Sequence, residues 1–451
     1  MASRPPLPPA VFWRDLVSTL LLERHNTAMV VIAATLLGAA AGTVGTFSLL
    51  RKRAMMGDTL AHCTLPGIAL AFLIANALGG AGRSLPVLLL GAAATGILGV
   101  LTVQGIVRST RLREDAAMAA TLSVFFGVGI VLLSYIQNLA TGTQGGLMHF
   151  IYGQTAAMQR GDAIVMGGAA VLAVLIALGL FKELRLVCFD DRFAAAAGLH
   201  VGLIDLVMMG LVVLITVVGL QAVGLLLIVA MLIIPPAAAR FWTERFGWMV
   251  ALSGLIGAAS GYLGSTASAL LPRMPAGAVI VLTSGALFFL SMLVAPSRGV
   301  LASGLRRLRL RYRIAQDHFL RASYEQLEAR GSGNALDVSE IRRNRGWSAA
   351  ASSLLTGALI ARGFVRRAEG RPELTRRGLA EAVRITRNHR LWEEFLVQRA
   401  DMAASHVDRT ADLVEHSLGP ELVAELEAAL VLRGELPAVP SSVHPLGGAA
   451  P

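Results

Sequence analysis

The sequence predicts an all-α polytopic membrane protein that carries a cytoplasmic winged-helix plus helical domain. Two observations predict this fold class. First, 55% of the 451 residues are hydrophobic and 15% are charged, with a mean hydropathy of +0.64. Soluble domains are near one quarter charged. Second, the apolar segments stop near residue 298, and the chain from residue 311 onward is charged and amphipathic.

Residues 1–26 are predicted to be an N-terminal leader or interfacial helix. Pro, Arg, Asp and Glu interrupt its apolar residues, so we expect no cleaved signal peptide. Residues 10–24 fit an amphipathic helix at the membrane surface, and a frayed leader fits equally well. Cys63 and Cys188 are far apart and form no CxxC pair, which argues against a disulfide framework and a thiolate zinc site.

Residues 27–298 consist of apolar blocks joined by short charged connections, which predicts a transmembrane domain. Each block has roughly the twenty residues that a helix needs to cross hydrocarbon. We expect about eight or nine transmembrane helices, some of which could be re-entrant or broken. Stretches rich in Gly and Ala favour close packing between them. The blocks lie near 27–50, 60–79, 85–106, 116–137, 162–181, 201–220, 222–239, 247–271 and 276–295.

The cations of the connections predict the orientation, because Lys and Arg are retained on the cytoplasmic side. This accounts for the formal net charge of +11 without nucleic-acid binding. The cation-rich connections hold Arg51, Lys52, Arg53, Arg108, Arg111, Arg113, Lys182, Arg185, Arg192, Arg240 and Arg245. The opposite connections hold only Arg83, Arg160 and Arg273. We therefore expect a multi-pass protein of a bacterial plasma (inner) membrane with its C-terminal domain in the cytoplasm.

The chain after the last apolar block predicts a separate domain. Residues 299–310 form a basic juxtamembrane linker, typical of an anchor to anionic lipid. Residues 311–446 predict a helix, two short helices, a two-stranded wing at "RRAEGRPELT" and a long helix, which is the order of a winged-helix domain. Two further helices are expected near 405–417 and 420–431, and residues 447–451 are predicted to be a disordered tail.

Asp58 and His62 are ionisable residues in an apolar block, four positions apart. Residues i and i+4 share one face of a helix, so the two side chains point the same way. A carboxylate and an imidazole suit a first-row divalent ion such as Mn, Fe or Zn, and ionisable groups inside a membrane are functional candidates. Spacing alone leaves an alternative, in which Asp58 caps the helix and His62 bonds a neighbouring carbonyl.

The stretch around this pair resembles the signature of the metal-type permeases of ABC transporters, the family that imports zinc, manganese and iron. The motif GD-x-x-x-H-x-x-LPG is carried by Gly57, Asp58, His62, Leu65, Pro66 and Gly67. The stretches "IYGQTAAM", "FDDRFAAAAGL", "VGLLLIVAMLIIPPAAAR" and "MPAGAVIVLTSGALFFLSMLVAP" follow in the order of the family. The resemblance covers about 27–298 and implies a helical permease, in a homodimer or heterodimer, with Asp58 and His62 at the metal path. Cys63 departs from the small apolar residue expected there, and we expect it to pack.

The segment "FDDRFAAAAGL" predicts a short amphipathic helix on the cytoplasmic side. In the family that the chain resembles, this segment is the coupling helix that docks on the ATPase. The residues implied are Phe189, Asp190, Asp191, Phe193 and Gly198. An ordinary surface helix is the alternative. The chain has no GxxxxGK[ST] motif, so we expect a transporter permease and not an enzyme, with ATP hydrolysis by a separate ATPase subunit. The resemblance also implies an extracytoplasmic metal-binding protein.

The C-terminal sequence resembles the metal-dependent repressors of the diphtheria-toxin-repressor class, through the pattern LT-x-x-G … HRL-x-E-x-FL … D-x-x-EH. The resemblance implies metal ligands at Asp317, His389, Glu393, Asp412, Glu415 and His416. The spacing of these residues supports this, because His389 and Glu393 are four positions apart and Asp412 is three and four positions before Glu415 and His416. Mixed carboxylate and imidazole ligands suit Mn²⁺ or Fe²⁺. A solvated helix face with ordinary ion pairs is the alternative. Leu320 stands where a second carboxylate of the first helix is often found.

The predicted recognition helix, "SAAASSLLTGALIARG", is mostly small and apolar, and Arg362 is its cation. Readout of DNA needs Arg, Lys, Asn or Gln on this helix and cations that face phosphates. The composition therefore argues against sequence-specific DNA binding. It favours a module for regulation or dimerisation that senses cytosolic metal.

These patterns lead to the hypothesis of a membrane permease subunit of an ABC importer for divalent transition-metal ions, with a metal-sensing cytoplasmic domain. The metal ion is substrate and regulator, and no permanently bound cofactor is expected. Two alternatives stay open: a membrane-tethered, metal-dependent transcription regulator, and an importer of a metal chelate of the siderophore or cobalamin type. The Asp58–His62 pair argues against the chelate importer, because a bulky chelate needs a wide pore and does not need metal ligands from the protein. The sequence does not choose among Mn, Zn and Fe, whose ligands overlap.

Overall fold

The computed structural model describes residues 25–53, 55–78, 85–138, 160–270, 274–331 and 335–400. The chain divides into two compact units, Met1–Ser303 and Gly304–Pro451. The first eleven helices are α1 (His25–Leu50), α2 (Met56–Ala77), α3 (Leu85–Ser109), α4 (Glu114–Gln137), α5 (Arg160–Gly179), α6 (Phe181–Phe189), α7 (Asp191–Ala196), α8 (Val201–Val223), α9 (Leu225–Trp242), α10 (Phe246–Leu270) and α11 (Ala276–Val294).

Eight helices in these ranges are long and apolar enough to cross a membrane, namely α1 to α5, α8, α10 and α11. This confirms the prediction of an all-α membrane domain with eight or nine spans. Helix α9 is apolar but shorter, and it contains Pro235 and Pro236. The predicted interfacial helix at 10–24 and the stretch at 151–158 lie outside the described residues.

Glycines allow α1 and α10 to pack with their backbones in contact. A Cβ atom on Gly38 would lie 2.2 Å from the carbonyl oxygen of Gly257, and one on Gly257 would lie 2.1 Å from that of Gly38. One turn further, the Ser253 hydroxyl donates to the carbonyl oxygen of Gly42 at 2.6 Å. Lipid supplies no hydrophobic drive between helices, so close contact and hydrogen bonds of this kind hold them together.

The remaining elements are α12 (Val300–Arg330), α13 (Val338–Asn344), α14 (Ala349–Ala361), β1 (Val365–Ala368), β2 (Arg371–Leu374) and α15 (Arg376–Ala400). Strands β1 and β2 form an antiparallel hairpin in which Val365 lies opposite Leu374. Gly370 in its turn has a φ of 78°, a conformation that glycine adopts without strain. The order of these elements confirms the predicted winged helix. Residues 300–310 belong to the same helix as 311–330.

Side-chain caps begin the two short helices of the winged helix. Asp337 accepts hydrogen bonds from the Ser339 and Glu340 amides, and Ser348 accepts one from the Ala351 amide. The Ser339 hydroxyl also donates to Asp337, and together with the amides it lowers the pKa of that carboxyl. The apolar core beneath consists of Phe319, Leu320, Leu336, Ile341, Leu355, Leu359, Val365, Leu374, Ala382 and Ile385.

We expect Gly257→Val to lower the melting temperature of the detergent-solubilised protein. The added isopropyl group would force apart the backbones of α1 and α10, and overpacking of this kind costs about 1–3 kcal/mol. Gly285→Val is the matched control, because no heavy atom lies within 4 Å of a Cβ atom built on Gly285. Equal melting temperatures for the two variants would show that the glycine contact does not hold these helices.

Candidate functional site

Asp58 and His62 lie on one face of α2, in its first two turns. The His62 Nε2 atom is 3.5 Å from the Asp58 Oδ1 atom. The Asp58 side chain is 34% exposed and that of His62 is 17% exposed, so the pair opens to one side of the helix. The N-cap position of α2 is Met55, so Asp58 does not occupy the capping position that the alternative interpretation requires.

The His62 ring is held on its other side by Phe126 of α4. The two ring centroids are 4.9 Å apart, and the rings meet edge to face at 82°. The Nδ1 atom of His62 is buried and has no hydrogen-bond partner among the described residues. Buried polar atoms are rarely left in this state, and such an atom calls for a functional or environmental reason. His62 is therefore oriented by packing and keeps a polar atom available.

Pro66 changes the backbone next to this pair. Proline has no N–H, so the carbonyl of His62, four residues earlier, does not receive the usual helix hydrogen bond. The adjacent Gly67 packs on α3, since a Cβ atom there would lie 2.1 Å from the carbonyl oxygen of Gly91. Gly129 of α4 fits against Pro66 in a similar way. The motif thus leaves the His62 carbonyl without its usual helix hydrogen bond and packs the helix against α3 and α4 around Pro66.

Cys63, the residue after His62, is fully buried and packs against α3, whereas His62 contacts α4. A Cβ atom on Gly99 of α3 would lie 2.7 Å from its sulfur atom, so the thiol fills the space that this glycine leaves. Within the part of the chain that the structure describes, no three His, Cys, Asp or Glu side chains cluster as a complete metal site. Two side chains and a carbonyl are enough to bind an ion transiently and too few for a closed structural site.

The predicted coupling segment forms a short exposed helix, α7. Asp190 is its N-cap and accepts a hydrogen bond from the Phe193 amide at 2.9 Å. Gly198, with a φ of 86°, follows the last turn of the helix. Phe189 is 65% exposed and Phe193 is 59% exposed, so two large apolar side chains project beside the acidic start of the helix. Exposed aromatic residues of this kind suit a docking surface.

An open groove lies beside Phe189. It has a volume of about 820 Å³ and is lined by Lys182, Arg185, Leu186, Phe189, Glu244, Arg245, Phe246 and Gly247. Phe189 also packs edge to face on Phe246, with ring centroids 5.6 Å apart. Phe189 lines this groove and is followed directly by Asp190, the N-cap of α7, so the groove begins next to that helix in the sequence.

An ion-pair network that the sequence analysis missed lies beneath α7. Arg51 contacts Asp205 and Asp191, and Arg53 contacts Asp205 and Glu114. The sequence analysis used Arg51 and Arg53 only for orientation. Asp205 was the available signal, because it is a single carboxylate at the start of an apolar block.

In the second unit, His389 and Glu393 of α15 are buried and adjacent. The His389 Nε2 atom is 3.1 Å from the Glu393 Oε1 atom. The buried guanidinium of Arg321, from α12, contacts the same ring, with its Nη1 atom 2.7 Å from Nε2. Arg321 also pairs with Glu325 at 3.3 Å. A cation therefore already lies against His389, one of the two predicted ligands that the structure places side by side.

The first helix differs in detail from its predicted role. Leu320 belongs to the apolar core, and Arg321 is the residue that faces His389. Asp317 is half-buried. The pKa of Arg384 is raised mainly by its hydrogen bond with Glu381, burial opposes this rise, and the charge of Asp317 adds a smaller increase. The remaining predicted ligands, Asp412, Glu415 and His416, lie outside the described residues. The signal for Arg321 was its i,i+4 spacing from both Asp317 and Glu325 on α12.

Two protein-family models match this chain. The model of the ABC 3 transport family matches residues 24–295, and that of the iron dependent repressor, metal binding and dimerisation domain, matches residues 375–431. The first match contains the Asp58–His62 pair, α7 and the ion-pair network. The second contains His389 and Glu393.

Individual relatives agree with these matches. The chain is 36% identical over 418 residues to the manganese transport system membrane protein MntC of Bacillus subtilis (strain 168), which covers 92% of this chain and 94% of the relative. It is 38% identical over 290 residues to the zinc transport system membrane protein TroC of Treponema pallidum (strain Nichols), which covers 64% and 96%. The structure is similar to that of PsaBC from Streptococcus pneumoniae in complex with Fab, with a TM-score of 0.54 and 31% identity over 63% of this chain and 96% of the other. The family match covers more than half of the chain, and the chain therefore belongs to the ABC 3 transport family.

Proposed function

We propose that this multi-pass membrane protein is the permease subunit of an importer for a divalent transition-metal ion, with Asp58 and His62 on the ion's path. The observation that carries the proposal is the geometry of this pair on α2. A carboxylate and an imidazole face each other at 3.5 Å, and His62 keeps a buried nitrogen available. The relatives MntC and TroC are manganese and zinc transport proteins, which supports the same class of substrate.

Transient binding is what this pair is suited to. Both side chains prefer first-row divalent ions, and the carbonyl of His62 adds an oxygen donor. An ion that must leave again needs few protein ligands, because a full coordination shell would hold it too tightly. Water and a second permease subunit, identical or different, would complete the shell on the exposed side of Asp58. The overlap of ligand preferences leaves Mn, Zn and Fe as candidate ions.

Energy for import comes from a separate ATPase subunit, and α7 is its proposed docking helix. The support is the exposure of Phe189 and Phe193 next to an open groove, together with the absence of a phosphate-binding GxxxxGK[ST] motif from the sequence. The cation-rich connections around α7 favour a cytoplasmic location for this surface and for the C-terminal domain. An extracytoplasmic metal-binding protein would deliver the ion at the opposite face of a bacterial plasma membrane.

The C-terminal domain is proposed to sense cytosolic metal and to regulate transport. His389 and Glu393 fit a divalent ion as two of its ligands, with Asp412, Glu415 and His416 as further candidates. Asp317 is the candidate from α12. Arg321 opposes such binding, because its guanidinium lies on the His389 ring. DNA binding is not part of the proposal, since exposed Leu354 on α14 gives no readout of base edges.

The variants Asp58→Asn and His62→Ala should each lower uptake of radiolabelled Mn²⁺ and Zn²⁺ by cells at least about tenfold. Loss of one ligand removes more than 1.4 kcal/mol of stabilisation along the path, which corresponds to that factor. Asp115→Asn is the matched control, an exposed carboxylate in the first turn of the neighbouring span α4. Membrane level and co-purification of the ATPase subunit should be unchanged. Wild-type uptake in both variants would refute the role of the pair.

Arg321→Glu should strengthen Mn²⁺ binding to the cytoplasmic domain about tenfold, because it replaces a cation at the His389–Glu393 pair with a carboxylate. Calorimetric titration of the purified full-length chain measures this, with Asp58→Asn and His62→Ala also present to silence the membrane site. Arg321→Gln should give a smaller increase, and Arg376→Glu, an exposed change on α15, should give none. Equal affinities in all of these variants would argue against a metal site at His389.

A further inference from the structure

Arg51 joins four parts of the membrane unit. Its Nε and Nη2 atoms contact the two carboxylate oxygens of Asp205, on α8, at 3.2 and 3.1 Å. Its Nη1 atom donates to the carbonyl oxygen of Val187 at 3.0 Å and to the Asp191 carboxylate at 3.3 Å. Val187 lies in α6 and Asp191 is the first residue of α7. One guanidinium at the end of α1 therefore holds α6, α7 and α8 together.

The connection that carries Arg51 leads directly to the metal helix. It runs from Arg51 to Met55, and α2 begins at Met56. The Arg53 amide donates to the Ser48 carbonyl oxygen at 2.9 Å, and the Arg53 carbonyl oxygen accepts from the Ser48 hydroxyl at 2.8 Å and from the Met56 amide at 2.9 Å. Arg53 is thus bonded both to the end of α1 and to the start of α2, and it links the two helices.

Burial strengthens the contacts of Arg51. The Arg51 and Asp205 side chains are 14% and 12% exposed, whereas Asp191 is 53% exposed. The two-pronged contact with Asp205 has the geometry of a strong charge-assisted pair. Burial of Arg51 disfavours its charge, but the hydrogen bonds and charges of Asp205 and Asp191 outweigh this and raise its pKa. Arg51 stays charged and fixed on α8, and the exposed carboxylate of α7 is the contact that can change most easily.

We propose that Arg51 is a positioning residue that transmits movement of α7 to Asp58 and His62. It would do so through Asp191 on one side and through the α1–α2 connection on the other. The inference rests on the proposed function, in which α7 receives the ATPase and the pair on α2 binds the ion. A shift of α7 pulls on the Asp191 contact, and the bonded connection passes the pull to the first turns of α2.

The geometry explains why an arginine is needed at this position. A guanidinium has five donors in a rigid plane and can serve Asp205, Asp191 and the Val187 carbonyl at the same time. A lysine has one ammonium group and cannot span both carboxylates in the same arrangement. Arg51→Lys therefore keeps the charge at the end of α1 but loses the link between α7 and α8. Asp191→Asn weakens the same link from its exposed end, where an ion pair contributes little to stability.

The test measures coupling in proteoliposomes that contain the full chain, its ATPase subunit and its binding protein loaded with Mn²⁺. Mn²⁺ import and ATP hydrolysis are recorded together, and co-purification reports whether the ATPase subunit is still bound. Arg51→Lys, at a residue outside the docking helix, should lower the number of ions imported per ATP at least fivefold, with hydrolysis and co-purification retained. Asp191→Asn should lower the same ratio by a similar factor. The double variant should be no worse than either single variant, because both act on one contact.

The control is Arg111→Gln, an exposed cation of another connection rich in Arg, which should leave the ratio of import to hydrolysis unchanged. An unchanged ratio in Asp191→Asn would overturn the inference. A loss of co-purification in Arg51→Lys that matches its loss of import would also overturn it, since Arg51 would then act only in docking. Absence of import of Mn²⁺, Zn²⁺ and Fe²⁺ alike by the wild-type chain would instead contradict the proposed function, so the two failures are distinguishable.

Discussion

Contact between helix backbones, permitted by glycine, is the constraint on which the membrane unit depends. Gly38 of α1 and Gly257 of α10 leave room for each other's carbonyl groups, and Gly67 of α2 does the same with Gly91 of α3. Since lipid is as apolar as leucine, close fit and not exclusion from water must hold these helices. A rigid frame of this kind lets a few polar side chains, such as Asp58 and His62, be held at fixed positions.

The polar groups of the unit are few, and each has a position that its surroundings explain. His62 is held between Asp58 and Phe126. Arg51 is fixed by a carboxylate and a carbonyl at the end of the spans. In the second unit, Arg321 supplies a positive charge to a buried His–Glu pair. At Arg51 and Arg321 a charge removed from water is matched by an opposite charge or a dipole, as burial requires.

Much of this arrangement was predictable from the sequence, and the exceptions have physical causes. Block length and composition predicted the spans, and i,i+4 spacing predicted that Asp58 and His62 share a face, because both depend on local geometry alone. The wing followed from its turn residues. The contacts of Phe126, Asp205 and Arg321 could not be predicted, since they depend on which helices become neighbours. Arg321 is the clearest case, because its neighbour Leu320 faces the apolar core whereas Arg321 itself faces His389.

Pro66 has a further consequence for how α2 can deform. The hydrogen bond that it removes would have joined the turn containing His62 to the next turn. Bending at that level therefore stretches one bond fewer than elsewhere in the helix, and proline is a common cause of helix kinks. The first two turns of α2, which carry the two groups proposed to hold the ion, can therefore tilt relative to the rest of the helix at Pro66.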